Sequence, residues 1–275
     1  MPDEQQRATP PAIGFQGAIF DVDGVLVDSP HELAWRETLQ EFMQTRWSSL
    51  RAQASWAPDR FTSAVYQELV AGKPRMAGAR AALEYFGLPV DPEHVDAYAE
   101  EKQRMVVELI EQGRFTAFPD ALRFLLDLRQ AGIKIATASS SKNADLLLGK
   151  VRLDTFVAEH DLYYDFVAPE QTLLGTVDAD ISGRDFKQGK PHPEIFLTAA
   201  SELGLPPAEC FVVEDAVSGI QAAKAGDMAG LGIARANDVD LLTEAGADLV
   251  VTSLDDVDRD LLAERRLAAA ASRAG

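Results

Sequence analysis

The sequence predicts an α/β fold: a doubly wound sheet of parallel strands with an all-helical cap inserted after the first strand. Three observations predict it. Short apolar runs ending in polar residues recur along the chain, amphipathic helical patterns separate them, and one long stretch after the first run is helical throughout. A chain of 275 residues can build one large domain or two unequal ones. Its 47% apolar and 25% charged residues are ordinary for a globular protein.

The first fourteen residues, "MPDEQQRATPPAIG", are polar and carry prolines, with no apolar signal region, and read as a flexible tail over 1–14. "GAIF" (Gly17–Phe20) is a fully apolar run that stops at Asp21, as a strand buried on both faces of a parallel sheet does. From Pro30 to Ala117 helical periodicity runs without a convincing strand, clearest in "HELAWRETLQEFMQTRW", "DRFTSAVYQELVAG" and "PEHVDAYAEEKQRMVVELIEQG". This stretch, 30–117, is the expected cap over the carboxyl edge of the sheet, and 15–29 with 118–275 form the core.

In the core, "IKIATAS", "CFVVED", "AGLGIA" and "DLVVTS" repeat the strand pattern of "GAIF". Helical patterns lie between them at Pro119–Ala131, Asn143–Val151, Pro193–Leu203, Val217–Ala225 and Asp238–Ala245. Gly132, Gly204, Gly226 and Gly246 stand where helix C-caps are expected. A second insertion, about 158–189, contains "VDADISGRDFKQG", for which a short hairpin is one reading. The alanine-rich end, "LLAERRLAAAASRAG", reads as a final fraying helix.

Charge narrows the partners. With 26 basic against 44 acidic residues the net charge is −18, which argues against sequence-independent binding to nucleic acid. No apolar run reaches membrane-spanning length. The single cysteine, Cys210, permits neither an internal disulfide nor a cysteine-based zinc site and fits a reducing cytoplasm. A monomer is expected.

In open α/β sheets ligands bind outside the carboxyl ends of the strands. There "GAIF" ends in Asp21-Val22-Asp23, "IKIATA" in Ser139-Ser140-Ser141, and "CFVV" in Glu214-Asp215. Asp21, Asp23, Glu214 and Asp215 are therefore expected to converge, which burial tolerates only around a cation or with protons retained. Hard oxygen donors with room for water favour Mg²⁺. Taken singly, each motif has an ordinary reading: a turn, an acidic helix start, an N-cap cluster. Together they sit at successive strand ends.

D-x-D-G-V-L-x-D-S at Asp21–Ser29, the serine-ended strand at Ser139, "GKPHPEIF" at Gly189–Phe196 and "VVEDAVSGIQAAKAG" at Val212–Gly226 resemble, in order, the four motifs of the haloacid dehalogenase superfamily. "HELAW", "GKPR" and "ASSSKN" resemble more narrowly its β-phosphoglucomutase-like branch of sugar-phosphate mutases and phosphatases. The resemblance implies a Rossmann-like core and a role for each residue. Asp21 becomes the nucleophile that forms an aspartyl phosphate, and Asp23 the acid/base. Mg²⁺ is held by Asp21, the Asp23 carbonyl and Asp215, with Glu214 assisting. Ser139, Ser140 and Lys190 bind phosphoryl oxygens, and Gly24 and Val25 offer them backbone N–H groups.

On the cap, Arg75 corresponds to an arginine gripping the substrate's second phosphate, helped by Ser141, Lys142 and Asn143. His31 corresponds to a hinge histidine, and is equally readable as a surface histidine starting a helix. Ala71 departs from the mutase pattern, which has lysine there, and the 158–189 loop is longer than in simple mutases. The implied activity is therefore first a Mg²⁺-dependent phosphatase of a small phosphate monoester such as a sugar phosphate. A sugar-phosphate mutase is the alternative, and a non-catalytic module binding a phosphorylated ligand the remote one.

Overall fold

The computed structural model describes residues 14–70, 73–236 and 238–270. The expected tail, but for Gly14, and the departure at Ala71-Gly72 lie outside the described residues. The chain runs through β1 (Gly17–Phe20) and β2 (Val27–Asp28) into four helices, α1 (His31–Gln44), α2 (Ser63–Leu69), α3 (Arg75–Tyr85) and α4 (Pro92–Glu111). It returns through β3 (Thr116–Ala117) to α5 (Pro119–Gln130), β4 (Lys134–Thr137), α6 (Ala144–Lys150), α7 (Leu153–Glu159) and β5 (Ala179–Asp180). α8 (Glu194–Leu203), β6 (Cys210–Glu214), α9 (Val217–Ala225), β7 (Ala229–Ile233), α10 (Val239–Glu244) and β8 (Leu249–Val251) complete it.

Six strands form a parallel sheet in the order β5-β4-β1-β6-β7-β8, with Phe20 opposite Thr137 on one side and Val213 on the other. β1 is central and covered on both faces, which is why its residues are apolar without alternation. Ala18 and Phe20 face a core that includes Phe124 and Phe211, while Ile19 faces Phe196, Ala199 and Val212. β2 and β3 pair antiparallel as a short ribbon where the chain leaves and re-enters the core.

The helical cap has a core of its own, built on Trp35, Leu39, Phe42, Trp47, Phe61, Leu83, Phe86 and Tyr98. Trp35 and Tyr98 meet edge to face at 5.0 Å, and the Tyr98 hydroxyl donates to the Trp35 carbonyl at 2.7 Å.

Several expectations are corrected. α3 lies in the stretch expected to be helical but outside its clearest segments, because its buried positions are Gly78, Ala79, Ala82 and Leu83, and small residues leave a faint apolar stripe. β3 lies at the end of the stretch read as strand-free. Residues 158–189 hold no hairpin: Ala179–Asp180 add an edge strand parallel to β4, two residues being too short for a pattern. The C-terminal segment is a 3-10 turn at Asp260–Glu264, and Ala269 bridges Val257 beyond it. Leu262 is buried and its carbonyl accepts from Phe15 N–H at 3.0 Å, so this turn is packed rather than frayed; residues 271–275 lie outside the described ones. Gly226 keeps a negative φ, and Asp227 takes the left-handed position instead.

Phe124 sits between Phe20 and Phe211 at ring separations of 6.2 and 6.3 Å, fully buried. Phe124→Ala is expected to lower unfolding free energy by about 3–5 kcal/mol, measured as a shifted denaturant midpoint at unchanged slope.

Candidate active site

The strand ladder carries the first acidic residue into place. Asp21 N–H donates to the Val213 carbonyl at 3.0 Å, extending β1 by one residue along β6. Lys190, in the loop before α8, puts its ammonium 2.5 Å from Asp21 Oδ1 and 2.6 Å from Glu214 Oε1. Burial opposes the charge on Lys190, but the two carboxylates outweigh it, and its pKa lies above the ordinary value. Asp21 is pushed up to about 7, chiefly by burial; Lys190 opposes this while Glu214 and Asp23 reinforce it. Burial, then Glu214 and Asp21, also holds Asp215 well above the usual carboxylate range.

Glu214 has a structural post. One oxygen takes Lys190 and the other accepts the Ala216 N–H at 2.9 Å. Among the described residues, no three or more His, Cys, Asp or Glu side chains are arranged to hold a metal ion. The Lys190 ammonium stands between Asp21 and Glu214, a partner that the expected meeting of four carboxylates around one ion did not include. What remains is smaller. Asp21 and Asp215 are buried carboxylates whose mutual repulsion Lys190 offsets only in part. Two carboxylates with a backbone carbonyl fit Mg²⁺, which keeps several of its waters.

Asp23 belongs to a different cluster. Its Oδ2 is 3.4 Å from Nε2 of His31, and its Oδ1 is buried without a hydrogen-bond partner. Burial opposes its charge, yet His31, Ser29 and Lys102 together hold its pKa below the usual value. Lys102 of α4 donates to His31 Nδ1 at 2.9 Å, which makes Nε2 the N–H that faces Asp23 and the Ser141 hydroxyl at 3.1 Å. Burial lowers Lys102 to about 8, with Asp23 opposing and Arg75 adding to the fall.

The other expected residues divide. Ser139 is buried, accepts Ser141 N–H at 3.1 Å and lies next to Ala138, whose carbonyl is 3.4 Å from Lys190. Ser140 is exposed. Asn143 accepts from Gln103 of α4 at 2.7 Å, linking core to cap. Lys142 is drawn elsewhere, to Asp185 at 2.7 Å, and Arg75 is exposed at the start of α3. The Gly24 N–H is taken by the Val27 carbonyl at 2.8 Å, so it is not offered to a ligand as expected; no such bond engages the Val25 N–H among the described residues. Gly24 is nonetheless required, since its φ is +78° and a Cβ would stand 1.8 Å from Asp215 Oδ2.

Three contributors escaped the sequence reading. Lys102 had a signal: it interrupts the buried stripe Val95, Tyr98, Ala99, Val106, Leu109 of α4. Gln103 had none. Neither had Tyr66 of α2, whose hydroxyl pKa is raised by burial and by the charges of Asp23, Glu32 and Asp215.

A parallel doubly wound sheet, a helical cap inserted after its first strand and acids at adjacent strand ends define a capped α/β protein with an acid-lined site at the carboxyl edge of its sheet. The haloacid dehalogenase-like hydrolase profile matches residues 15–227, and the chain belongs to that family. Within it the chain falls in the β-phosphoglucomutase-like branch. It is 32% identical over 254 residues to a β-phosphoglucomutase of Mycobacterium bovis, covering 87% of this chain and 90% of the relative. Hexitol phosphatase A of Escherichia coli is 28% identical over 244 residues, covering 88% and 93%. The crystal structure of a β-phosphoglucomutase from Pyrococcus sp. strain ST 04 superposes with a TM-score of 0.64 at 32% identity, covering 90% of this chain and 96% of the other.

Gly219 of α9 faces Glu214 so closely that a Cβ would stand 1.9 Å from its Oε1. Gly219→Ala is expected to displace Glu214 and cost about 3–5 kcal/mol, the penalty of unpairing a buried charge, read as a lowered melting temperature.

Proposed function

We propose that this chain is a Mg²⁺-dependent phosphatase of small sugar phosphates that works through an aspartyl phosphate on Asp21. The observation that carries the reading is the pairing of two aspartates in opposite settings two residues apart. Asp21 is held by a buried ammonium, while Asp23 is held by a histidine that belongs to the cap.

Asp21 attacks phosphorus as the bond to the leaving oxygen breaks, and Lys190 offsets charge on the carboxylate and on the incoming phosphoryl oxygens. Ser139, next in the chain to Ala138, whose carbonyl faces the same ammonium, is the hydroxyl donor to those oxygens in this reading. Asp23 gives the leaving oxygen its proton and later takes one from the water that attacks phosphorus, as the bond from phosphorus to Asp21 breaks and inorganic phosphate leaves. At rest its surroundings favour the carboxylate; an arriving phosphate dianion raises its proton affinity by like-charge repulsion. The groups that would hold Mg²⁺ are Asp21, Asp215 and the Asp23 carbonyl. When bound it supplies positive charge that lets carboxylate and phosphate approach.

A second reading, transfer to another hydroxyl of the same sugar, is favoured by two cap cations. Lys102 is buried with His31 as its hydrogen-bond partner, and the side chain of Arg75, whose charge it feels, has no hydrogen bond or ion pair among the described residues. A substrate that brings a second phosphate suits both. Similarity does not choose, since relatives named as mutase and as phosphatase cover the chain almost equally.

Asp21→Asn is expected to lower kcat by roughly 10⁴-fold or more in a phosphorylated-metabolite screen with Mg²⁺ that reads out inorganic phosphate, and chelation of Mg²⁺ to abolish turnover. Unchanged turnover in the variant sinks the reading. Glucose 1-phosphate with a trace of bisphosphate decides the acceptor: free phosphate identifies the hydrolase, glucose 6-phosphate the mutase.

A further inference from the structure

Arg235, two residues past β7, reaches four groups with one guanidinium. Nη1 meets both oxygens of Asp120 at 3.1 and 2.9 Å, Nε donates to the Gly24 carbonyl at 3.2 Å, and Nη2 donates to the Val25 carbonyl at 3.2 Å. The same group lies 3.9 Å over the ring of Phe118. Asp120, in the first turn of α5, is itself anchored by the Leu254 N–H at 2.9 Å.

These partners come from two stretches. Gly24 and Val25 follow Asp23 in the loop leaving β1, whereas Phe118 and Asp120 directly follow β3, where the chain returns from the cap. Phe118 N–H donates to the Leu26 carbonyl at 2.9 Å, so the stretches also touch each other. An ion pair with Asp120 alone would only fasten α5. The other arms grip main-chain carbonyls of the acid-bearing loop, and because a trans peptide is planar, fixing a carbonyl also fixes the next N–H. Across that loop, Asp215 fills the space a Gly24 side chain would need. The loop is thus held from two sides. Lysine cannot replace this grip, since a point charge lacks the planar fork that serves a carboxylate and two carbonyls together.

We infer that Arg235 is a positioning residue for phosphotransfer: it fixes the Asp23–Val25 loop against the returning strand so that Asp23 meets the leaving oxygen. The inference rests on the proposed role of Asp23 as acid. It goes beyond that role by placing its control outside the motif.

The test compares phenyl phosphate, whose leaving oxygen depends strongly on a proton, with p-nitrophenyl phosphate, which depends on it little. In Arg235→Met, kcat on phenyl phosphate is expected to fall about 100-fold, the scale of lost general-acid catalysis. The fall on p-nitrophenyl phosphate is expected to be about tenfold smaller than that, with KM for both within about threefold. Arg235→Lys should show the same selectivity, Asp120→Asn a weaker form of it, and Asp23→Asn the full effect as reference. Should Arg235→Met not fold, the lysine and Asp120 variants carry the test. Equal losses on both esters, or none, while Asp23→Asn remains selective, would overturn the role of Arg235 and leave the proposed function standing. Wild-type protein inactive on both esters, or Asp23→Asn without selectivity, would instead overturn the reading beneath it.

Discussion

One buried ammonium organises this molecule. Lys190 lies between Asp21 and Glu214, the terminal acids of two neighbouring strands, at a sheet edge where burial works against the charges of Lys190 and Asp21. Without a cation there, the strands could not both end in carboxylates at this depth. With it, Glu214 becomes a fixed wall, braced by the Ala216 N–H and by Gly219, and Asp21 keeps a defined direction. Lys190 offsets the negative charge of Asp21 and Asp215 only in part. The electrostatic order therefore runs from lysine outward, and the acids alone do not explain it.

How the acids share their surroundings explains their separate chemistry. Asp21 answers to the core, through Lys190 and the ladder bond to Val213. Asp23, two residues on, answers to the cap through His31 and Lys102. The α4 helix contributes a second tie beside it, from Gln103 to Asn143. The electrostatics of Asp23 are thus set by the cap, and those of Asp21 by the core.

The central sheet was legible because its strands are buried on both faces and so read as unbroken apolar runs. Asp21, Asp23, Glu214, Asp215 and Ser139 were legible because each terminates such a run. What failed to show obeys an equally physical rule. α3 shows only faintly because it packs through glycine and alanine, β5 is two residues long, and the C-terminal turn is tied down by Leu262, by the bridge at Ala269 and by Arg265, which reaches Glu209 and the Gly14 carbonyl. Arg235 and Gln103 are ordinary surface-type residues whose meaning depends on partners more than a hundred and about forty positions away, respectively. The use of Gly24 N–H inside its own turn and the capture of Lys142 by Asp185 were hidden for the same reason. Local pattern reveals which residues end an element, and it does not reveal what waits opposite them.

The position of β1 carries a consequence for how the protein comes into being. It leads the sheet in sequence yet stands between β4 and β6, whose register partners Lys134 and Cys210 belong to the second and last portions of the chain. During synthesis this strand emerges before either neighbour, with both hydrogen-bonding edges bare, and β6 follows only after the cap and β4. The cap, whose contacts are nearer in sequence, can condense meanwhile. An apolar four-residue strand left waiting is open to wrong partners until β6 arrives to cover its second edge.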